Sequence, residues 1–514
     1  MSVQREWLKK GLEICSKDGS LSKEEKKELF MQLEVQYEAF AESERKRILD
    51  IINTAFDGND RIYIYSYFMN YMQAEDFAKG ALTAILHAQD NYDFYTGSML
   101  EYQVINRVSG CYAQKRKVHK KNVMKFEKEL QMDFQYEQFE RRNKNRIVIM
   151  TEQMLSNRHA PTKMVLNMMY VLQKQLGYEV MLFICPCDGF LSGDLWHHFY
   201  YSNASDLHRE FAVSIKHRDT EFRGYQVNMR PVNIKEYQMM FEIIHAWNPL
   251  IVFGIGVVNP VVDFCARFTT LVMRSASIDC PVSEAQVLLR VKEQSENLEE
   301  EYKQEIDRRQ VQLFIKGKPP VLTEVSESPY QRQELGLPED KFLIAIVGNR
   351  LDEEINMELV QLMQRIIERL SKAAFILIGQ VKKARKYFWE DIFDGHIFYM
   401  GYQKDLIGIY SVLDLYMNPK RKGGGYSSVM ALSVGIPAIS LPDCDVAGHI
   451  GEGLTVKDYQ EMEETVCRYI NDPSFYEEKK QYVQERMKEN TDEKMVQYVQ
   501  NMMNQIIEHL EKQG

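Results

Sequence analysis

Asn418 to Pro437 reads NPKRKGGGYSSVMALSVGIP. It follows a buried-strand pattern, LDLYM, and leads into a helical pattern over roughly Ser427 to Ser433. The consecutive glycines Gly423, Gly424 and Gly425 let the backbone take positive φ and approach a ligand with no Cβ in the way. Tyr426, Ser427 and Ser428 would open the helix, with their amides aimed outward at the positive end of its dipole, where anions bind. Lys420, Arg421 and Lys422 add positive charge beside the turn. The stretch has neither the GK[ST] ending of a Walker loop nor the GxGxxG spacing of a dinucleotide fingerprint. A buried strand, a glycine turn flanked by cations and a helix, in that order, point to an open α/β sheet with an anion at the carboxyl edge of its strands.

The flanking sequence extends that sheet. KFLIAIVGNR, from Lys341, is a strand running into a polar tip, and INMELVQLMQRIIERL puts Ile355, Leu359, Met363, Ile366, Ile367 and Leu370 on one helical stripe. AAFILIG, HIFYMG, LDLYMN and PAISLP read as further strands. An earlier unit has the same texture. NRIVIM breaks into the loop TEQMLSNRHAPT, a helix follows with Val165, Met168, Met169, Leu172 and Leu176 on one face, and YEVMLFI after Gly177 is the next strand. WNPLIVFGIG and TTLVM repeat the strand pattern. VFGIGVVNP lacks the third glycine of a nucleotide fingerprint, so its glycines are read as shaping a loop. SEAQVLLRVKEQSENLEEEYKQEIDRR reads as a long charged helix and KGKPPVLTEVSESPYQ as a linker.

From about Leu21 to Glu140 the pattern is helical, with apolar residues at three- and four-residue intervals and no convincing repeat. The expected fold class is therefore α/β, with two Rossmann-like domains facing a cleft and an all-α region before them. The expected divisions are 1–143 helical, 144–325 the first α/β domain, 326–480 the second, and 481–514 C-terminal helices packing back on the first. The basic segment 115–146 reads first as a solvated helix face and connector, with a membrane surface or a partner protein as the alternative occupant.

Composition sets outer bounds. The chain has 514 residues with Lys+Arg 64 against Asp+Glu 74, a net charge of −10 that argues against a nucleic-acid coat. Any anion must be met by a local site. No apolar run is long enough for a signal-peptide core or a membrane span, so a soluble, cytoplasmic protein is expected. The 8 cysteines are scattered, and none has zinc-finger or CxxC spacing, so reduced thiols and no metal site are expected.

On these residues the second domain resembles the nucleotide-sugar half of GT-B glycosyltransferases, and of these it is most similar to the O-GlcNAc transferases and the related bacterial protein glucosyltransferases. LDLYMNP, GGGYSS, ALSVGIPAISLP and DCDVAGHI follow the order of that family's strand, loop, helix and closing loop. NRIVIMTEQ, SNRHAPT and FTTLVMRSASIDCPVSEAQ resemble its acceptor half, and the likeness spans roughly Arg146 to Asp472. The resemblance implies a UDP-sugar donor, no cofactor and a protein or glycan acceptor. It assigns Gly424, Gly425, Tyr426, Ser427 and Ser428, with Lys420, to the diphosphate. Asn349, Arg350, Gln380 and Lys382 would face the same phosphates. Met400, Gly401 and Tyr402 would line the base pocket, and Asp445 and His449 would lie near sugar and ribose.

The departures from the family pattern bear on mechanism. Tyr426 stands where the family loop has histidine, and Met430 and Lys422 occupy the positions of the paired glutamates found in many retaining enzymes. Inversion is therefore expected, with a base on the first domain. His159 is the first candidate because imidazole titrates near neutrality, and Glu152 in the same loop is the second. The alternative function is a non-catalytic GT-B-like subunit or chaperone serving a true transferase. Self-association is a further expectation for the chain.

Overall fold

The computed structural model describes the chain apart from residues 1, 18–19, 73, 89–91, 106, 109, 153, 155–159, 186–209, 228–232, 276–279, 291–299, 301–309, 316–319, 323–329, 383, 389–390, 422, 443 and 514. It divides into two compact units, Met1–Lys316 with Asn501–Gly514, and Gly317–Gln500. The helical N-terminal region thus belongs to the same unit as the first α/β domain.

That region runs from Val3–Ser16 to Tyr112–Leu130 in successive helices. Its core gathers Trp7, Tyr37, Phe68 and Phe77, and the Trp7 indole N–H donates to the Leu33 carbonyl at 2.9 Å. The helix Lys23–Glu38 opens with a reciprocal capping box between Ser22 and Glu25.

The first unit's sheet has eight strands: β1 (Asn143–Thr151), β2 (Glu179–Ile184), β3 (Ala212–His217), β4 (Thr220–Gln226), β5 (Pro249–Ile255), β6 (Leu271–Arg274), β7 (Val287–Arg290) and β8 (Val311–Phe314). Their order is β3-β4-β2-β1-β5-β6-β7-β8, parallel except for the β3–β4 pair. The chain winds outward from β1 to β2 and β4, then returns to β5 on the other side of β1. A crevice therefore opens between the carboxyl ends of β1 and β5. The expected strands NRIVIM, YEVMLFI, PLIVFGI and LVM are present. The expected charged helix is not there at its start: Val287–Arg290 is a fully buried strand between β6 and β8. A run that is apolar on both faces suits the middle of a parallel sheet, and the charges after it hid the signal. Most of the rest of that stretch lies outside the described residues.

The basic segment differs from its reading as a solvated face. Lys115 and Arg116 are buried, and the Lys115 ammonium donates to the Val108 carbonyl at 2.6 Å. Arg116 donates to the Ser283 carbonyl at 2.7 Å and to Gln310 at 2.6 Å, and pairs with Glu284 at 3.1 Å. Beside it, His119 is fully buried between Glu101, at 2.8 Å, and Asp263. Asn122 completes the Glu101 carboxylate, and the Ser283 hydroxyl completes that of Asp263. These inward-facing side chains join the helical region to the sheet domain.

The second unit carries β9 (Phe342–Gly348), β10 (Ala373–Gly379), β11 (Ile397–Gly401), β12 (Leu415–Met417) and β13 (Ala438–Ile439) in the order β11-β10-β9-β12-β13, all parallel. The helix Met357–Arg369 buries Leu359, Met363, Ile366 and Ile367 of the predicted stripe, while Ile355 precedes it and the half-buried Leu370 caps its end. The winding reverses between β9 and β12, so the carboxyl ends of those two strands flank the second crevice. Among the described residues, no helix is long and apolar enough to cross a membrane.

Burial alone would discharge His119, but the charges of Glu101 and Asp263 outweigh it and raise its pKa to about 10. The stability this contributes is full below the ordinary 6.5, declines above it, and is lost as pH rises through about 10. We predict that His119→Gln, which leaves two buried carboxylates without a cation, costs on the order of 3–5 kcal/mol. Denaturant melts between pH 6 and 10 check it: the native midpoint should fall with pH more steeply than that of the variant.

Candidate functional site

The carboxyl ends of β9 and β10, on one side of the second crevice, meet at two glycines. Gly379 closes β10 with φ of +134°, and a Cβ there would collide with the Gly348 carbonyl oxygen at the end of β9. A Cβ on Gly348 would in turn overlap the Nη1 atom of Arg421. Glycine at 348 therefore leaves the passage through which the Arg421 side chain reaches β9.

Arg421, on the loop after β12, has a side chain only 6% exposed. Its guanidinium donates to Glu354 at 2.5 Å, to the Val347 carbonyl at 2.6 Å, to Asn418 Oδ1 at 2.8 Å and to the Tyr416 hydroxyl at 3.1 Å. Burial opposes its charge, but Tyr416 and Glu354 hold its pKa above the ordinary arginine value. Asn418 is fully buried and donates to Ser440, so one polar cluster spans the ends of β9, β12 and β13.

That cluster shapes the glycine turn. Gly424 has φ of +109°, and a Cβ there would lie 2.5 Å from Asn418 Oδ1 and 2.9 Å from both Arg421 Nη2 and the Tyr416 hydroxyl. Only glycine fits both the dihedral and the space. The helix Gly425–Ser433 starts immediately, and its first ladder bond is Ser428 N–H to the Gly424 carbonyl at 2.9 Å. The amides of Gly425, Tyr426 and Ser427 come ahead of that ladder, at the positive end of the helix. Above the turn, Nη2 of Arg350 lies 3.8 Å from where a Gly423 Cβ would be, with the Arg350 side chain 48% exposed.

The structure gathers most expected donor-side residues along this carboxyl edge. Asn349 and Arg350 are exposed after β9, Gln380 and Lys382 are exposed after β10, and Gly401 ends β11 with Tyr402 just beyond it. Tyr402 is 58% exposed. Lys420 is exposed and donates its backbone N–H to the Tyr459 hydroxyl at 2.9 Å, while the Tyr426 hydroxyl donates to the Leu322 carbonyl at 3.3 Å. His449 lies in the helix Asp445–Ile450 after β13, its carbonyl held by Arg486 at 3.0 Å. The Asp445 side chain, Lys422 and His159 lie outside the described residues. Arg421, expected beside the turn as an available cation, instead spends its charge internally. Sequence reasoning also missed Glu354, whose signal was its place four residues after Arg350 in a polar strand tip.

In the first unit, Glu152 follows β1 directly and is half-buried. Its Oε2 lies 3.5 Å from where a Cβ of Gly256, just past β5, would be. It therefore occupies the switch-point crevice of its own sheet. Among the described residues, no group of three or more His, Cys, Asp or Glu side chains is arranged to hold a metal ion.

No protein-family model matches the chain, and no curated protein matches it by sequence. Its architecture is a GT-B glycosyltransferase-like fold. A mutant of the Thermobaculum terrenum O-GlcNAc transferase superposes with a TM-score of 0.54 at 11% identity, covering 99% of each chain. Anabaena HepE in complex with UDP covers 71% of this chain and 100% of its own, at 12% identity and a TM-score of 0.49. WaaG, a glycosyltransferase involved in lipopolysaccharide biosynthesis, covers 69% of this chain and 98% of its own at 11% identity and a TM-score of 0.44. At such identities the likeness is one of fold.

Two neighbouring cations should behave differently. Arg421→Met strips Glu354, Asn418 and the Val347 carbonyl of a buried donor and should cost on the order of 3–5 kcal/mol. Lys420→Ala, on the surface, should stay within about 0.5 kcal/mol of the native chain. Thermal and urea unfolding compare them directly.

Proposed function

We propose that the chain is a glycosyltransferase that moves a hexose or N-acetylhexosamine from a UDP-sugar to a protein or glycan acceptor, with inversion. The observation that carries this reading is the β9/β12 crevice, where an exposed arginine stands over a positive-φ glycine turn at a helix N-terminus. A diphosphate suits it because its charge meets both a guanidinium and the positive end of a helix. The GT-B-like fold shared with an O-GlcNAc transferase adds support for an N-acetylhexosamine.

In this reaction the acceptor oxygen attacks the anomeric carbon as the bond from that carbon to the diphosphate oxygen breaks. Arg350 and the amides of Gly425 to Ser427 stabilise the charge that develops on the leaving UDP, with Lys382, Gln380 and Lys420 as nearby polar contacts. The acceptor proton passes to a base, Glu152 or His159. Tyr402 offers a stacking face for the uracil. Asp445 and His449 are assigned to sugar and ribose. No metal or cofactor is called for, since the chain's own cations meet the leaving group.

One observation favours the second reading, a non-catalytic partner subunit of a transferase. Arg421 is consumed internally by Glu354, which leaves the turn with less free cation than its sequence offers.

Calorimetry with UDP and turnover with a panel of UDP-sugars separate the two readings. Arg350→Ala should weaken UDP at least about tenfold, the loss of one charged hydrogen-bonding group. Glu152→Ala or His159→Ala should lower kcat about a hundredfold with UDP affinity unchanged if that residue is the base. UDP binding with neither transfer nor hydrolysis of any donor would favour the partner reading. No UDP binding at all would end the donor-site assignment.

A further inference from the structure

Glu354 is a carboxylate placed between the buried and the exposed arginine of the second crevice. Its Oε2 accepts from Nη1 of Arg421 at 2.5 Å, and its Oε1 lies 3.5 Å from Nη2 of Arg350. The three side chains step outward, from 6% exposure at Arg421 through 12% at Glu354 to 48% at Arg350. The Nη2 of Arg350 that faces Glu354 is also the atom poised 3.8 Å from the Gly423 Cβ position.

The backbone beneath this relay is pinned on both sides. Leu351–Glu354 forms a single helical turn closed by the Glu354 N–H to the Arg350 carbonyl at 3.0 Å. The Asp352 N–H donates to the Gln380 carbonyl at 3.2 Å, and the Asp352 carboxylate accepts from the Ala384 N–H at 3.0 Å. The turn is thereby tied to the loop after β10, while Arg421 ties Glu354 to the loop after β12.

An arginine on the surface has much rotamer freedom to lose when it grips an anion, and a fixed carboxylate beside it removes part of that loss before the ligand arrives. At 3.5 Å and with this exposure, the Arg350–Glu354 contact contributes little to folding.

We propose that Glu354 is a positioning residue for the donor diphosphate: anchored from behind by Arg421, it holds Arg350 over the glycine turn. This rests on the nucleotide-sugar reading above. It adds a role for a residue that itself touches no substrate.

The test is calorimetric titration of UDP into the full chain carrying Glu354→Asp, which keeps a charge beside Arg421 but shortens its reach toward Arg350. A second variant, Glu354→Gln, keeps an amide oxygen to accept from the Arg421 guanidinium but removes the charge beside Arg350. Each should weaken UDP about five- to tenfold, and each should change affinity less than about twofold when Arg350 is already alanine. In turnover assays, the loss in Glu354→Asp should appear in kcat/KM for the UDP-sugar and should vanish when Arg350 is already alanine. Native affinity in both variants, or an equal loss with Arg350 absent, overturns the positioning role while leaving the nucleotide site intact. A native chain that does not bind UDP overturns both together.

Discussion

A guanidinium that is 6% exposed must have its charge answered from within the protein, and Arg421 is answered by two strand ends at once. It bonds the carbonyl of Val347 at the end of β9, the carboxylate of Glu354 just beyond, and the side chains of Asn418 and Tyr416 around the end of β12. Much else at this edge follows from its passage. Residue 348 has to be glycine to let the side chain through, and residue 424 has to be glycine because a Cβ would meet Asn418, Arg421 and Tyr416. The turn that results is the one that starts the helix Gly425–Ser433. The buried ion pair is best understood as fixing the relation of two loops, since buried pairs as a class add little net stability.

The first unit uses a similar device for a different purpose. His119, held between Glu101 and Asp263, and Arg116, held by Ser283, Gln310 and Glu284, make the N-terminal helices part of the first sheet's domain. Satisfied networks of this kind specify one arrangement because any shift leaves a charge unpaired in a poorly polarisable interior. Both sheets are wound so that the chain reverses beside the first strand of its unit. Glu152 stands at one reversal, and Arg350 with the glycine turn at the other.

Much of this was legible in the sequence because periodicity and local turn chemistry are local properties. The stripe Leu359, Met363, Ile366 and Ile367, the strand FLIAIVG and the turn GGG before a helix each carry their own signal. The strand Val287–Arg290 was misread because its identity depends on neighbours on both sides in the sheet, and the charges after it imitate a helix. The hairpin β3–β4 lay hidden for a related reason: its alternating exposed pattern, from Ala212 to Gln226, is short and polar. The inward turn of Lys115, Arg116 and Arg421 was not legible at all. A basic residue in a helix or loop looks the same whether its partner is water or a carboxylate far along the chain, and Arg421 and Glu354 are 67 positions apart.

The proposed activity depends on a nucleoside diphosphate binding at the reversal between β9 and β12. A crystal structure of the chain grown with UDP tests it most directly. Diphosphate oxygens should lie within hydrogen-bonding distance of the Arg350 guanidinium and of the amides that open Gly425–Ser433, with Arg421 still paired to Glu354. Diphosphate density elsewhere on the chain, or UDP held with Arg350 turned away from it, would rule out this site.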